Sequence, residues 1–349
     1  MLDTSASPHA SNWTSTTKLW ILSTVAFVLL TARTRGLAQS GTSQSSEQPH
    51  PSPAMVTNLR EPMRLTVSDP GRLLSLPGAG IPPSLVPLFG LGNSDIKFQL
   101  PVLMANLRDN RHEGWVLAAY PDPKTSRPLI GAGFSLDVEE TEHVQRDPLN
   151  PYKFLEPSSA QLWQGAGFDP ARLQQILGQY DRDLKKWGKK SFRKKIKKNR
   201  LEPQVSEEEA LTLLRISAVQ AIHNARAYCR GFDQLTASQQ MALTQLVYQM
   251  GINLEEFTTF LSTLNEQPHL QDASLDISAS GQRQYWTAVQ LSLIQSQWAR
   301  KYSSRAISVI AMFDPDYAEN PRAAEQRVKA VLHPAKHKNK HKKSKTRTA

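Results

Sequence analysis

A single cysteine, Cys229, leaves this chain of 349 residues without a partner for an internal disulfide. That excludes a small secreted scaffold held by covalent staples. The thiol follows Ala-Arg-Ala-Tyr on a helical pattern and reads as a small buried apolar residue rather than a nucleophile. A nucleotide-binding glycine loop, a zinc motif and a Ser/His/Asp elbow are also missing, so no cofactor and no metal is expected. No internal repeat is present. Acidic residues are absent from 336–349, where seven Lys/Arg stand alone, and scarce in 181–200, where eleven Lys/Arg face two Asp. These two runs account for more than the whole net charge of +11, leaving a mildly acidic body. Basic patches of this kind meet polyanions. The expected partners are anionic wall polymer, lipopolysaccharide or anionic lipid, with nucleic acid as the alternative.

The N-terminus carries an export pattern. Lys18 precedes an apolar run from Leu19 to Leu30, interrupted only by Ser23 and Thr24, and Gly36-Leu37-Ala38 offers the small residues a signal peptidase reads. The run is short for a transmembrane helix. Residues 1–38 are therefore read as a signal peptide, with an uncleaved inner-membrane anchor as the alternative, and the bulk of the chain is expected in the periplasm or outside the cell. Residues 39–66 are rich in Ser, Gln, Pro and Thr, a spacer composition. Proline density forbids a long helix over 70–93, and the spacer is extended to residue 99.

The remainder predicts an α+β, mostly helical domain over about 100–318. A helix over Pro101–His112 is closed by Glu113-Gly114. Two apolar runs around Pro121-Asp122-Pro123-Lys124 predict a hairpin. Asp169-Pro170 opens a helix whose apolar face is Leu173, Ile176, Leu177, Tyr180 and Leu184. Ser206-x-x-Glu209 and Thr236-x-x-Gln239 are capping boxes. The helix behind the second box is nearly apolar all round and stops at Gly251, which marks it as central. Helices are expected over about 254–264, 282–300 and 303–313, followed by a basic tail without pattern over 319–349.

Glu113 and Asp122 are the candidate catalytic pair. One ends a helix and the other sits in a hairpin turn, which sets two carboxylates on opposite lips of a cleft. Glycoside hydrolysis needs such a pair, one carboxyl protonated to donate to the leaving oxygen and the other ionised. Burial of Glu113 near Trp115 and Phe134 would raise its pKa, and a solvated turn would leave Asp122 ionised. Taken alone, a glutamate at a helix end and an aspartate in a turn are ordinary surface residues.

The order of the segments adds context. Glu113-Gly114, Tyr120-x-Asp122, Ile130-Gly131-x-Gly133, Val205-Ser206-x-Glu208-x-Ala210, Leu246 to Gly251, Phe257-Thr258, Gln297-Trp298, Ser304-Arg305-Ala306 and Val309-Ile310 run colinearly over about 100–313. In this order they resemble the phage-type lysozymes, the muramidase endolysins of glycoside hydrolase family 24. The resemblance implies a lysozyme-like fold with a small hairpin lobe and a larger helical lobe. It also implies cleavage, with inversion, of the β-1,4 bond between N-acetylmuramic acid and N-acetylglucosamine of peptidoglycan, by a monomer. It casts Glu113 as general acid, Asp122 as positioner or base for water, Arg305 as a charge beside Glu113, and Gln249 with Trp298 as a packed pair behind the cleft. Three departures stand out. The family threonine before Ile-Gly is replaced, because Pro128 has its counted spacing and Leu129 directly precedes Ile130; Thr125 and Ser126 are the nearby hydroxyls, neither at the matching position. The family's histidine and its aspartate partner are Phe134 and Ser217 here, a paired loss without an orphan charge. Residues 138–204 are longer and carry the basic run, in which Trp187 and Phe192 alternate with cations. The first departure keeps a second reading open, a peptidoglycan-binding module without catalysis.

Overall fold

The computed structural model describes residues 71–77, 80–109, 115–198, 200–266 and 278–334. The expected signal or anchor, the Ser/Pro-rich spacer up to residue 70, Glu113-Gly114 and the tail beyond residue 334 lie outside the described residues. Of the described residues 61% are helical, with one small antiparallel sheet, an α+β architecture. Among the described residues no helix is long and apolar enough to cross a membrane.

The sheet has three strands in sequence order, β1 (Val116–Pro121), β2 (Pro128–Gly131) and β3 (Phe134–Ser135). The first two form the expected hairpin, with Tyr120 opposite Leu129 and Pro121 opposite Pro128. β3 comes after a turn in which Gly131 and Gly133 both have positive φ, 62° and 98°, a conformation that side chains with a Cβ resist. The sheet is fastened to residues 204–205, just ahead of the first capping box. The Leu117 carbonyl accepts from the amides of Gln204 and Val205, and the Ala119 amide donates to Gln204 Oε1 at 2.7 Å.

The helices are α1 (Val86–Gly90), α2 (Leu100–Arg108), α3 (Ser159–Gly165), α4 (Pro170–Lys197), α5 (Glu207–Tyr228), α6 (Ala237–Met250), α7 (Thr258–Asn265), α8 (Ala279–Ile294), α9 (Gln297–Lys301), α10 (Ser303–Ala311) and α11 (Pro321–Leu332). Both predicted capping boxes are formed. Ser206 accepts from the Glu209 amide while the Glu209 carboxylate accepts from the Ser206 amide, and Thr236 and Gln239 do the same for α6. Glu209 also pairs with Arg172 of α4. Its burial disfavours the charged form, but Arg172 and the Ser206 amide outweigh that and lower its pKa. α5 and α6 pass through the centre of the core. In α6, every position from Gln239 to Val247 is buried, and so is Met250, as expected of a helix apolar on every side. Gly251, with φ 52°, ends it.

Besides the helix expected over about 282–300, which is two helices, α8 and α9, three larger differences from expectation stand out. α2 stops at Arg108, because Asp109 turns extended and its amide is shared between the carbonyls of Ala105 and Asn106. Residues 71–99 are part of the body rather than spacer: Leu73, Leu85, Leu88, Phe89 and Leu91 are buried in the common core. The leucines decide this, since prolines here start short helical turns at their first positions instead of preventing them. Residues 321–332 form a helix where a patternless tail was expected. α11 packs on α10 through Ala324 and Val328, and Arg327 pairs with Asp314 at 2.7 Å. Only two of its side chains are buried, too weak a stripe to stand out in the sequence.

Candidate functional site

The β1–β2 turn is organised by Asp122. Its Oδ1 accepts from the amides of Lys124 (2.8 Å) and Thr125 (2.7 Å) and from Thr125 Oγ1 (2.9 Å). Its own amide donates to the Arg127 carbonyl, and its carbonyl accepts from the Ser126 amide. This is an aspartate holding a turn closed, the behaviour that enriches the residue in turns. Asp122 is 0% exposed, and Oδ2 is buried with no hydrogen-bond partner among the described residues. The expectation of a solvated carboxylate is therefore corrected. The reason lies in α4, which packs across the turn. Tyr180 Oη donates to the Ser126 carbonyl at 2.5 Å, Lys189 Nζ reaches the Lys124 carbonyl at 3.4 Å, and Arg193 reaches the Pro123 carbonyl at 3.2 Å.

The two nearby hydroxyl residues are part of the same turn. The Thr125 hydroxyl is tied to Asp122 and accepts from the Arg127 amide at 3.2 Å. Ser126 holds the positive φ, 66°, that closes the turn. Leu129 is 2% exposed in β2. Phe134 is buried in β3, and the Ser217 hydroxyl donates within α5 to the Leu213 carbonyl.

Glu113 lies outside the described residues. The elements on either side of it are tied together: Arg108 at the end of α2 sits 4.1 Å over the ring of half-buried Trp115 and pairs with Glu207 at 2.7 Å. Arg305, at the start of α10, is buried and engaged. Gln249, near the end of α6, accepts from Trp298 Nε1 at 3.2 Å, so the expected packed pair is formed. Its Nε2 is a buried donor without a partner among the described residues. Because the indole can only donate, the oxygen of Gln249 must face it, and the orphan atom is the nitrogen.

A cavity of about 670 Å³ joins these parts. Its walls include Lys124 from the Asp122 turn, Gln249, Phe257, Trp298, Lys301 and Tyr302. Volumes of this order hold small-molecule or oligomer ligands, with apolar walls and a few placed polar groups. Sequence reasoning found Gln249 and Trp298 but not Lys124, Lys301 or Tyr302. Lysines in a turn and at a helix end carry no pattern, and only the fold brings positions 124 and 301 together.

Other expected groups are accounted for by packing. Cys229 is fully buried, and burial pushes its thiol up to about 12, so it is no thiolate at neutral pH. The basic run is helical, broken at Gly188 (φ 65°, ψ 163°), with Phe192 buried and Trp187 half-buried. Phe192 is 1% exposed against Tyr180 and Trp187, and Lys195 lies 3.8 Å over the Trp187 ring. Among the described residues of this run the outer face is a set of exposed cations with no exposed aromatic platform for stacking bases. Among the described residues no His/Cys/Asp/Glu cluster is arranged to hold a metal. No family profile matches the chain, and no curated protein resembles it significantly.

Proposed function

We propose that the chain is an exported, lysozyme-like muramidase, its hairpin and helical lobes enclosing a cleft for peptidoglycan. The observation that carries this reading is the cavity in which the Asp122 turn, through Lys124, faces the Gln249–Trp298 pair. These segments stand far apart in the sequence and are among those that carry the resemblance to phage-type lysozymes. In the proposed reaction the Glu113 carboxylic acid protonates the glycosidic oxygen as its bond to the anomeric carbon breaks. A water attacks the opposite face of the sugar and loses its proton to a base, which inverts the anomeric centre. The resemblance assigns that role to Asp122; its Oδ1 is held by the turn and its Oδ2 is buried, so the water would have to enter beneath the turn to reach it. The resemblance sets Arg305 as a charge beside Glu113, and Gln249 with Trp298 supports the cleft from behind.

The test is release of reducing ends from purified sacculi, with Glu113→Gln as control and circular dichroism to check folding. Release by the wild type and not by the folded variant is expected; equal release by both refutes the assignment of Glu113. A second reading, a binding module without catalysis, is favoured by one observation. Among the described residues the only hydroxyl bonded to the Asp122 carboxylate is the Thr125 side chain, which donates to the carboxylate itself, and Leu129 is apolar and buried. Retention on sacculi without release of reducing ends would select that reading.

A further inference from the structure

Lys124 and Lys301 come from elements with nothing else in common, the β1–β2 turn and the last residue of α9. Both side chains line the 670 Å³ cavity, near enough for each charge to act on the other. Two ammonium groups on one cavity wall repel, and an anion bound between them would relieve that repulsion. The acids nearby do not form that bridge. Asp122 is buried beneath the turn with Oδ1 held by its neighbours, and among the described residues no ion pair joins Glu256, on the same wall, to either lysine. Lys189 and Arg193 add positive charge on the outer side of the turn. Gln249, on the same wall, carries in Nε2 a buried donor with no acceptor among the described residues.

We propose that Lys124 and Lys301 form an oxyanion subsite in this cavity, which holds a carboxylate or phosphate of the bound polymer between two ammonium groups while Gln249 Nε2 donates to a neighbouring oxygen. This rests on the reading that the cavity receives peptidoglycan, whose peptide stems carry carboxylates; the phosphate of an anionic wall polymer is the other source of the same chemistry. Burial and the neighbouring Lys301 lower the Lys124 pKa to about 8, partly offset by Asp122. Apolar rings of Phe257, Trp298 and Tyr302 flank the pair, so the ligand expected is an acidic group on a sugar or peptide rather than a free inorganic ion.

The experiment is calorimetric titration of the full chain with three probes: N-acetylmuramyl-L-alanyl-D-isoglutamine, its neutral carboxamide, and glycerol phosphate. Lys124→Gln, Lys301→Gln, Lys301→Arg and Lys301→Glu are compared with wild type. Both lysines are exposed, so these variants are expected to fold. The charged muramyl probe is expected to bind ~10-fold or more tightly than its carboxamide, as a charge-assisted contact provides. Each Gln variant is expected to lose that preference, Lys301→Arg to keep it, and Lys301→Glu to abolish it by pairing with Lys124. Stronger binding of glycerol phosphate through the same lysines supports the subsite and makes wall polymer its source. Equal binding of charged and neutral probes, affinity unchanged in both Gln variants, or no binding of any probe overturns it. Binding and cleavage are read separately: lysine-dependent binding without reducing-end release keeps the subsite and removes the muramidase, and release with lysine-independent binding does the reverse.

Discussion

Replacing Asp122 separates its structural work from any catalytic work. In Asp122→Ala the two amides and the Thr125 hydroxyl that donate to Oδ1 lose their acceptor. Hydrogen bonds to a charged acceptor contribute about 1.5–3 kcal/mol each. The three are not additive here, because Lys124 is exposed and Thr125 half-buried, so water recovers part of the loss. Removing Oδ2, which is buried and unpaired, offsets a little more. The net loss expected is about 2–4 kcal/mol, or a fall in Tm of about 5–15 °C for a body of this size. Asp122→Asn keeps an oxygen for the turn but sets an amide nitrogen where Oδ2 finds no partner, a cost of about 1–2 kcal/mol. The expected order of stability is wild type, Asn, Ala, measured by thermal denaturation alongside reducing-end release. If Asp122 also handles water, the Asn variant loses activity well beyond its modest loss of stability. An Ala variant melting within about 2 °C of wild type would refute the turn-holding role, since the aspartate is the acceptor that those donors share.

Two further predictions test other parts of the fold. Gly188 has φ 65° and ψ 163°, a backbone region open almost only to glycine, and an added Cβ would meet nothing within 4 Å. Gly188→Ala should therefore cost about 1–3 kcal/mol purely through backbone strain and speed amide exchange over 189–197; unchanged exchange would show that the basic arm does not need this kink. His143, stacked on Phe154, lies 2.7 Å from Glu255 and 3.7 Å from Glu156. Burial opposes its protonation, but the hydrogen bond to Glu255 and the charges of the two glutamates together raise its pKa above 6.5. A raised folded pKa means that the contribution to stability is full below the unfolded value and lost as pH rises through the folded one. The stability difference between wild type and His143→Gln should shrink as pH climbs from about 6.5, and a difference flat with pH in urea denaturation would contradict the pairing.

The helical frame was legible wherever a local signal exists. Ser206, Thr236 and Asp169-Pro170 marked helix starts because a cap is a contact between residues three apart or fewer. Pro121-Asp122-Pro123-Lys124 marked the hairpin for the same reason. Missed elements are those stabilised from outside themselves. Residues 71–99 join the core because α5 offers a surface to their leucines, and α11 stands on α10 through two small contacts and an ion pair. In the basic run, Phe192 packs inward where the sequence shows only an aromatic among cations, since the kink at Gly188 folds it back toward Tyr180.

The candidate site divides along the same line. The sequence by itself determined which residue types are available: a glutamate after α2, an aspartate suited to a turn, a glutamine and a tryptophan on separate helices, and two strongly basic runs. The tertiary structure alone decided their surroundings. It buried Asp122 under α4, paired Gln249 with Trp298, and set Lys124 and Lys301 on one cavity wall. The physical reason is range. Capping and turn formation act over a few residues and leave a readable pattern, whereas desolvation and charge repulsion depend on neighbours that the chain supplies from far away in its sequence.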